Sequence, residues 1–367
     1  MVSKQSSRVL HFFLIAFLVF AGCSNNHAGT KDDAVSAPSI GGYNVYMGHL
    51  HNHTALSDGN GTPSEAYAYA RDVARMDFFG IADHANAINQ TLWNALQTVA
   101  DSYNQDGVFV TFWGFEWSSS KKYGHVTIIN TSSYCADNDP NTDTFDELCA
   151  WLSAHNGIAF FNHPGREDAT GEEFNHFNGT AVDQFVGMEL WNKDNGFAVY
   201  YYNDGYGRSD NGLGYYDEAL SRRWHIGASG SGDDHSGTWG TRQPFRVAVL
   251  SPTKTRMAIL NAFAERRFYS TLDTNLALSF KINGYEMGSK INSGTYNVEI
   301  LADDGSAHDV FSTIDLIKNG TVLQRWNLHQ KTVTITFSLN VSSGDYYYIR
   351  ITQADGDEAV SSPIWID

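Results

Sequence analysis

The chain has little cysteine, three in 367 residues, and little proline, seven. So few cysteines exclude a small disulfide-knit scaffold. So few prolines, beside 42% hydrophobic residues, exclude a collagen-like or low-complexity chain. Positive charge is scarce too: 24 Lys and Arg face 41 Asp and Glu, a net −17. That balance argues against a nucleic-acid partner, whose backbone needs Lys and Arg to replace counterions. No apolar run reaches the roughly twenty residues that cross a bilayer as a helix, so a multi-span membrane protein is excluded. Aromatic residues abound instead, at 14% with nine Trp, which predicts large buried rings or a ring-lined pocket. The length allows about two domains.

Lys4 and Arg8 precede the apolar stretch Leu10–Phe20, and Phe20-Ala21-Gly22-Cys23 follows. A charged start, a short apolar core and small residues at the end read as an export signal over residues 1–22. Small residues immediately before Cys23 resemble a bacterial lipobox. That resemblance implies cleavage before Cys23, lipidation of its thiol and amine, and stable attachment to a bacterial membrane on its periplasmic or outer side. An unmodified Cys after a plain signal peptide is the alternative. Residues 23–42 read as a polar tether. Cys135 and Cys149 bracket a loop rich in Asn and Asp, and in an oxidising compartment they are a candidate pair for a loop staple.

From about Tyr43 to Thr271, short apolar runs alternate with amphipathic stretches. Thr62-Pro63-Ser64-Glu65 has the residues that open a helix. Repeated strand-then-helix units predict an α/β domain over residues 43–274, a barrel or a doubly wound sheet. Polar residues fall where the apolar runs end, which favours a barrel with its chemistry at the strand C-termini. No phosphate-binding glycine loop follows a strand. Beyond residue 275, alternating segments separated by Asn283-Gly284, Asn319-Gly320 and Asp355-Gly356 predict a small antiparallel β-sandwich, residues 275–367. His308 and His329 stand isolated there and read as structural.

The strand-end residues are those that bind metals. His51 and His53 lie two apart, on one side of an extended chain, with His49 in the same parity and Asp58 in the following turn. Asp83-His84 ends the next strand, as a ligand with its orienting partner or as a helix cap beside a bystander His. Glu116 interrupts the apolar run Phe112–Trp117, and a buried carboxylate there needs a cation or an ion pair. His125, His163 before Pro164, and Asp233 with His235 follow. Glu189 reads as supporting a ligand or facing substrate. Arg166 is a candidate clamp for a phosphate or carboxylate, or an ordinary surface arginine.

Together these motifs resemble the polymerase and histidinol phosphatase (PHP) family of metal-dependent phosphoesterases. The family's opening motif stands here as His51-Asn52-His53-Thr54-Ala55-Leu56-Ser57-Asp58-Gly59. Its Asp-His pair is Asp83-His84, its Glu is Glu116, its His-Pro is His163-Pro164, and its closing Asp-x-His is Asp233-Asp234-His235. The family usually carries Asp two positions before the first His, where this chain has His49. The Gly232–Gly240 segment and the appended β-region look most like an exported branch that includes carbaryl hydrolases.

The resemblance implies a distorted seven-stranded (β/α) barrel of PHP type, with two to three divalent ions (Zn, Mn or Fe). One ion would take His51, His53, Glu116 and Asp233. A second would take Glu116, His125 and His163, and a third Asp58, His84 and His235. Glu116 would bridge, and Asp83 and Arg166 would join it in catalysis. The implied activity is hydrolysis of a small-molecule ester, most readily a phosphoester, by a hydroxide shared between metals. Carbamate or carboxylic ester hydrolysis on the same site is the alternative, and a non-catalytic surface lipoprotein binding glycans or partners is a third reading. Trp113, Trp117, Trp191 and Trp239 are either packing residues or the wall of an aryl-binding pocket.

Overall fold

The computed structural model describes residues 38–119, 122–166, 170–192, 214–306 and 309–367. The expected export signal, Cys23, most of the tether, and His308 lie outside the described residues. Ser39–Ile40 already pairs with Tyr43–Asn44, so the expected tether gives way to strand before residue 42. Among the described residues, no helix is long and apolar enough to cross a membrane.

Strand β1 (Tyr43–His49), helix α1 (Pro63–Asp72), β2 (Phe78–His84), α2 (Gln90–Tyr103) and β3 (Val110–Ser119) follow the expected alternation. The α1 start is a capping box. The Thr62 hydroxyl accepts from Glu65 N–H and the Glu65 carboxylate accepts from Thr62 N–H, with Pro63 in the first turn. There follow β4 (Gly124–Ile129), α3 (Phe145–Ser153), β5 (Ile158–Asn162), β6 (Phe185–Asn192), α4 (Tyr215–Ser221), β7 (Gly227–Ser231), β8 (Arg246–Ser251), α5 (Arg256–Ala264) and β9 (Phe268–Thr271).

Hydrogen bonding orders the strands β9-β8-β1-β2-β3-β4-β5-β6-β7 in a mixed α/β arrangement. β1-β2-β3 and β5-β6-β7 are parallel. The pairs β3-β4, β4-β5, β1-β8 and β8-β9 are antiparallel. The expected run of parallel strands therefore holds in two blocks. Only residues 120–123 separate β3 from β4, enough for a hairpin, whereas a parallel return needs about a dozen residues or more.

The sheet curls until β7 lies near β9. Just beyond β1 and β7 the following segments meet in a parallel bridge between Asn52 and Asp234. Asp233 N–H donates to His51 O at 3.2 Å, and His53 N–H donates to Asp234 O at 3.1 Å. The short apolar run at residues 224–227 becomes strand only from Gly227, and β7 continues to Ser231. A Cβ on Gly227 would run into Ser362 Oγ and the Phe268 ring, so small residues are what let this strand close the curl.

The remaining chain is strand: β10 (Leu276–Ile282), β11 (Gly294–Asp304), β12 (Phe311–Lys318), β13 (Thr321–Gln330), β14 (Thr332–Val341), β15 (Tyr346–Gln353), β16 (Glu358–Ser361) and β17 (Ile364–Ile366). β10, β11 and β14 form a separate antiparallel sheet. β12, β13 and β15–β17 join the long sheet, where β16 pairs with β9. Backbone pairing thus continues across the expected boundary at residue 275. Leu278, Phe280 and Ile300 of one sheet share a core with Ile314, Ile349 and Ile364 of the other.

Cys135 and Cys149 do not form the expected staple; both are free thiols. Cys149 on α3 lines a surface hollow with Phe145 and Asp146, whereas Cys135 packs toward Thr142. Burial pushes each thiol up to about 12, so neither is a thiolate near neutral pH.

Strand alternation decides what the curl encloses. Val110 and Phe112 on β3 and Phe160 on β5 join Phe78, Val247 and α5 residues Ile259 and Phe263 in an inner apolar core. Phe115, Trp117, Val126 and Phe161 point the other way, into the core shared with α1–α3. Further along the same inward faces, the period of two brings Glu116, His125 and Asn162 to the rim beyond the apolar filling.

Candidate metal centre

Eight of the nine expected ligands approach one another in three overlapping groups: His51, His53 and Asp233; His51, Glu116 and His163; and His53, Asp58, His84 and His235. Within each group the candidate ligand atoms lie within 4.8 Å of one another. The ninth, His125, reaches the middle group through Glu116, with Nδ1 3.1 Å from Oε1. His51 and His53 each belong to two groups. Their Nε2 atoms are 3.1 Å apart and lie 3.4 and 3.3 Å from Asp233 Oδ1.

Glu116 occupies the middle. Its Oε1 lies 3.1 Å from His51 Nε2 and 3.5 Å from His163 Nε2, while its Oε2 lies 2.8 Å from His84 Nδ1 and 3.5 Å from His53 Nε2. The outer group is the more open. The Asp58 side chain is 57% exposed, and its Oδ1 lies 3.3 Å from His235 Nε2, its Oδ2 3.6 Å from His84 Nε2. His51, His53, Glu116, His163 and Asp233 are buried.

The electrostatics fit a cation. Burial alone would lower the His51 pKa, but Glu116, Asp233 and Glu189 outweigh it and hold the ring well above its ordinary value. Burial would likewise raise Glu116, yet His125 and His51 keep it well below the usual carboxylate range. Burial wins at His163, which falls to about 3 and is a neutral imidazole. The donor set, imidazole and carboxylate without thiolate, fits Zn, Mn or Fe more than Ca or Mg.

Asp83 is not brought into this set. Its Oδ1 accepts from Thr54 N–H at 2.8 Å and Ser57 Oγ at 2.6 Å, and its Oδ2 from Thr54 Oγ1 at 2.7 Å. It ties down the turn that carries Asp58. His49 stays out as well, because its Nε2 meets Phe245 O at 2.6 Å and burial beside Arg246 lowers it to about 3. Arg166 is at the rim, Nη1 3.6 Å from Asp233 Oδ2 and 3.4 Å from His163 Nε2.

Three supporting side chains complete the surroundings. Glu189 Oε1 meets His51 Nδ1, and its Oε2 accepts from Asn192 Nδ2 at 2.6 Å. Asn162 and Ser118 both reach Glu116, at 2.8 and 3.1 Å. Neither was singled out from sequence, although Ser118 shares a strand face with Glu116 and Asn162 immediately precedes His163. The tryptophans are packing residues: Trp113, Trp117 and Trp239 donate to Thr131 O, Thr142 O and His53 O, and Trp191 is buried in the outer core.

Residues 77–139 match the model of a family described as a protein of unknown function, DUF3604. An uncharacterized protein of Chlamydia pneumoniae is 22% identical over 93% of this chain and 59% of its own length. One of Chlamydia trachomatis is 22% identical over 92% and 60%. The chain thus spans about three-fifths of the length of these curated relatives. A two-domain protein from Bacteroides vulgatus, described as containing a predicted PHP-like metal-dependent phosphoesterase, superposes with a TM-score of 0.48. Its sequence identity is 13%, and the match covers 86% of this chain and 93% of that one.

Proposed function

We propose that this chain is a PHP-type metallohydrolase that cleaves ester bonds, phosphoesters foremost, on a multinuclear centre. In this reading the curled sheet is the distorted seven-stranded barrel of that family and the later strands are its appended β-sandwich. The chain is exported and tethered through lipidated Cys23. The observation that carries the reading is the sharing of His51 and His53 among adjoining groups, with Glu116 reaching His84 and His53 on its other oxygen, which suits neighbouring cations better than one.

His51, His53, Glu116 and Asp233 would hold one cation, Glu116, His125 and His163 a second, and Asp58, His84 and His235 a third. Bound divalent cations supply a water activated near neutral pH and positive charge for the oxygens of the scissile group. The chain's own residues do the rest. Arg166 meets an anionic substrate oxygen at the rim. Asp83, through Thr54 and Ser57, sets the turn of Asp58 at the mouth, and Glu189 keeps the His51 ring in one orientation.

The test is elemental analysis of the purified chain together with a substrate panel. Two to three equivalents of Zn, Mn or Fe are expected, with turnover of nitrophenyl phosphate or bis-nitrophenyl phosphate exceeding that of naphthyl carbamate. Faster carbamate cleavage would move the assignment to that ester class. No bound metal and no hydrolysis would overturn it, leaving the binding-protein reading.

A further inference from the structure

Glu116 can serve two cation positions only if its carboxylate is held with one oxygen toward each. A glutamate has three rotatable side-chain bonds, and holding it in one rotamer costs conformational entropy. Two neutral donors outside the ligand set supply that constraint, one per oxygen. Asn162 Nδ2 donates to Oε1 at 2.8 Å and to Thr127 Oγ1 at 3.0 Å, while Asn162 Oδ1 accepts from Thr127 N–H at 3.2 Å. The amide is thereby fixed at both ends on strands β4 and β5, and it is fully buried. On the other side, Ser118 Oγ lies 3.1 Å from Oε2 and 2.6 Å from His84 Nδ1. Ser118 sits two residues beyond Glu116 on β3, so its hydroxyl shares the glutamate's face by strand periodicity.

We infer that Asn162 and Ser118 are positioning residues, each fixing one oxygen of Glu116, so that Oε1 faces His51, His125 and His163 and Oε2 faces His53 and His84. This rests on the multinuclear reading above. Asn162 governs the inner side alone, and Ser118 governs the outer side, where it also keeps His84 Nδ1 engaged and leaves Nε2 toward Asp58. Partners that orient a ligand set metal affinity by about 10–100-fold, and here that influence is divided between two oxygens of one carboxylate.

The experiment is zinc affinity by chelator competition in wild-type chain, Asn162→Ala and Ser118→Ala, each repeated in His163→Ala and His84→Ala backgrounds. Asn162→Ala is expected to loosen one class of bound zinc about 10–100-fold, and to add little once His163 is gone. Ser118→Ala is expected to show the reverse dependence, vanishing in His84→Ala, and Ser118→Thr to restore affinity. If Asn162→Ala does not fold, Thr127→Val takes its place, removing the hydroxyl that Asn162 Nδ2 donates to while the backbone contact to Oδ1 stays, with a weaker effect on the same zinc class. Unchanged affinity, or equal loosening of every class in both backgrounds, overturns the inference while leaving the metal reading intact. A wild-type chain with no zinc affinity overturns both.

Discussion

Glu189 Oε1 lies 3.0 Å from His51 Nδ1, and the same carboxylate takes the backbone N–H of His163 on its other oxygen at 2.9 Å. One buried acid thus orients a candidate ligand ring from β1's end and the turn that presents another. Glu189→Gln keeps the shape and removes the charge. It is expected to weaken the most tightly held metal about 10–100-fold, with little change in circular dichroism. Equilibrium dialysis followed by elemental analysis checks this, and unchanged affinity would show that the contact does no more than fill space.

Asp58 stands apart from the buried ligands because its side chain is mostly exposed. Asp58→Asn should remove about one equivalent of metal and leave the cations near His51 and Glu116 in place. His51→Ala should lower the count further, since that ring belongs to two groups. Metal counts of the two variants, measured side by side, decide it; equal losses would contradict the division into inner and outer positions.

A third expectation concerns pH and lies away from the centre. Burial pushes the Asp217 carboxyl from 3.8 up to about 6, although the hydroxyls of Tyr348 and Tyr346 reach it at 3.1 and 3.2 Å. The folded form binds the proton more tightly than the unfolded one, so stability is full below the unfolded value. It falls as pH rises toward 6, by roughly 3 kcal/mol from this group. Asp217→Asn keeps an acceptor for the tyrosines and should flatten that window, raising stability at neutral pH. Urea unfolding at pH 4 and pH 7 measures the difference; parallel pH dependence in both proteins would refute the assignment.

Closure of the curl gives a fourth. At Gly227 an added Cβ would lie 2.7 and 2.8 Å from Phe268 ring atoms and meet Ser362, whereas at Gly179 the nearest atom is 3.9 Å away. Gly227→Ala is expected to cost about 1–3 kcal/mol by overpacking. Gly179→Ala should be neutral or stabilise by up to about 1 kcal/mol. Denaturant midpoints report both, and a tolerant Gly227 would mean that β7 can shift outward.

Much of the candidate centre was legible in the sequence because the candidate ligands sit at strand ends in short motifs, such as His51-Asn52-His53 and Asp233-Asp234-His235. Asn162 was not, since a single amide carries no spacing signal and its role depends on Thr127 across a strand pair. The bonds from Asp83 to Thr54 and Ser57 were not legible, because adjacency to His84 says nothing of side-chain direction and successive strand residues face opposite ways. Much of the fold followed from apolar alternation. β13 gives little strand signal, because it is an exposed edge strand, polar along most of its length and paired, among the described residues, with β12 alone. The antiparallel turn from β3 to β4 was hidden by reading every apolar run as one strand of a repeating unit.

The Asn52–Asp234 bridge joins segments 182 positions apart. During synthesis, a ribosome must therefore release nearly two-thirds of the polypeptide before His51 and His53 can meet Asp233. Until then the nascent chain carries only part of the candidate ligand set.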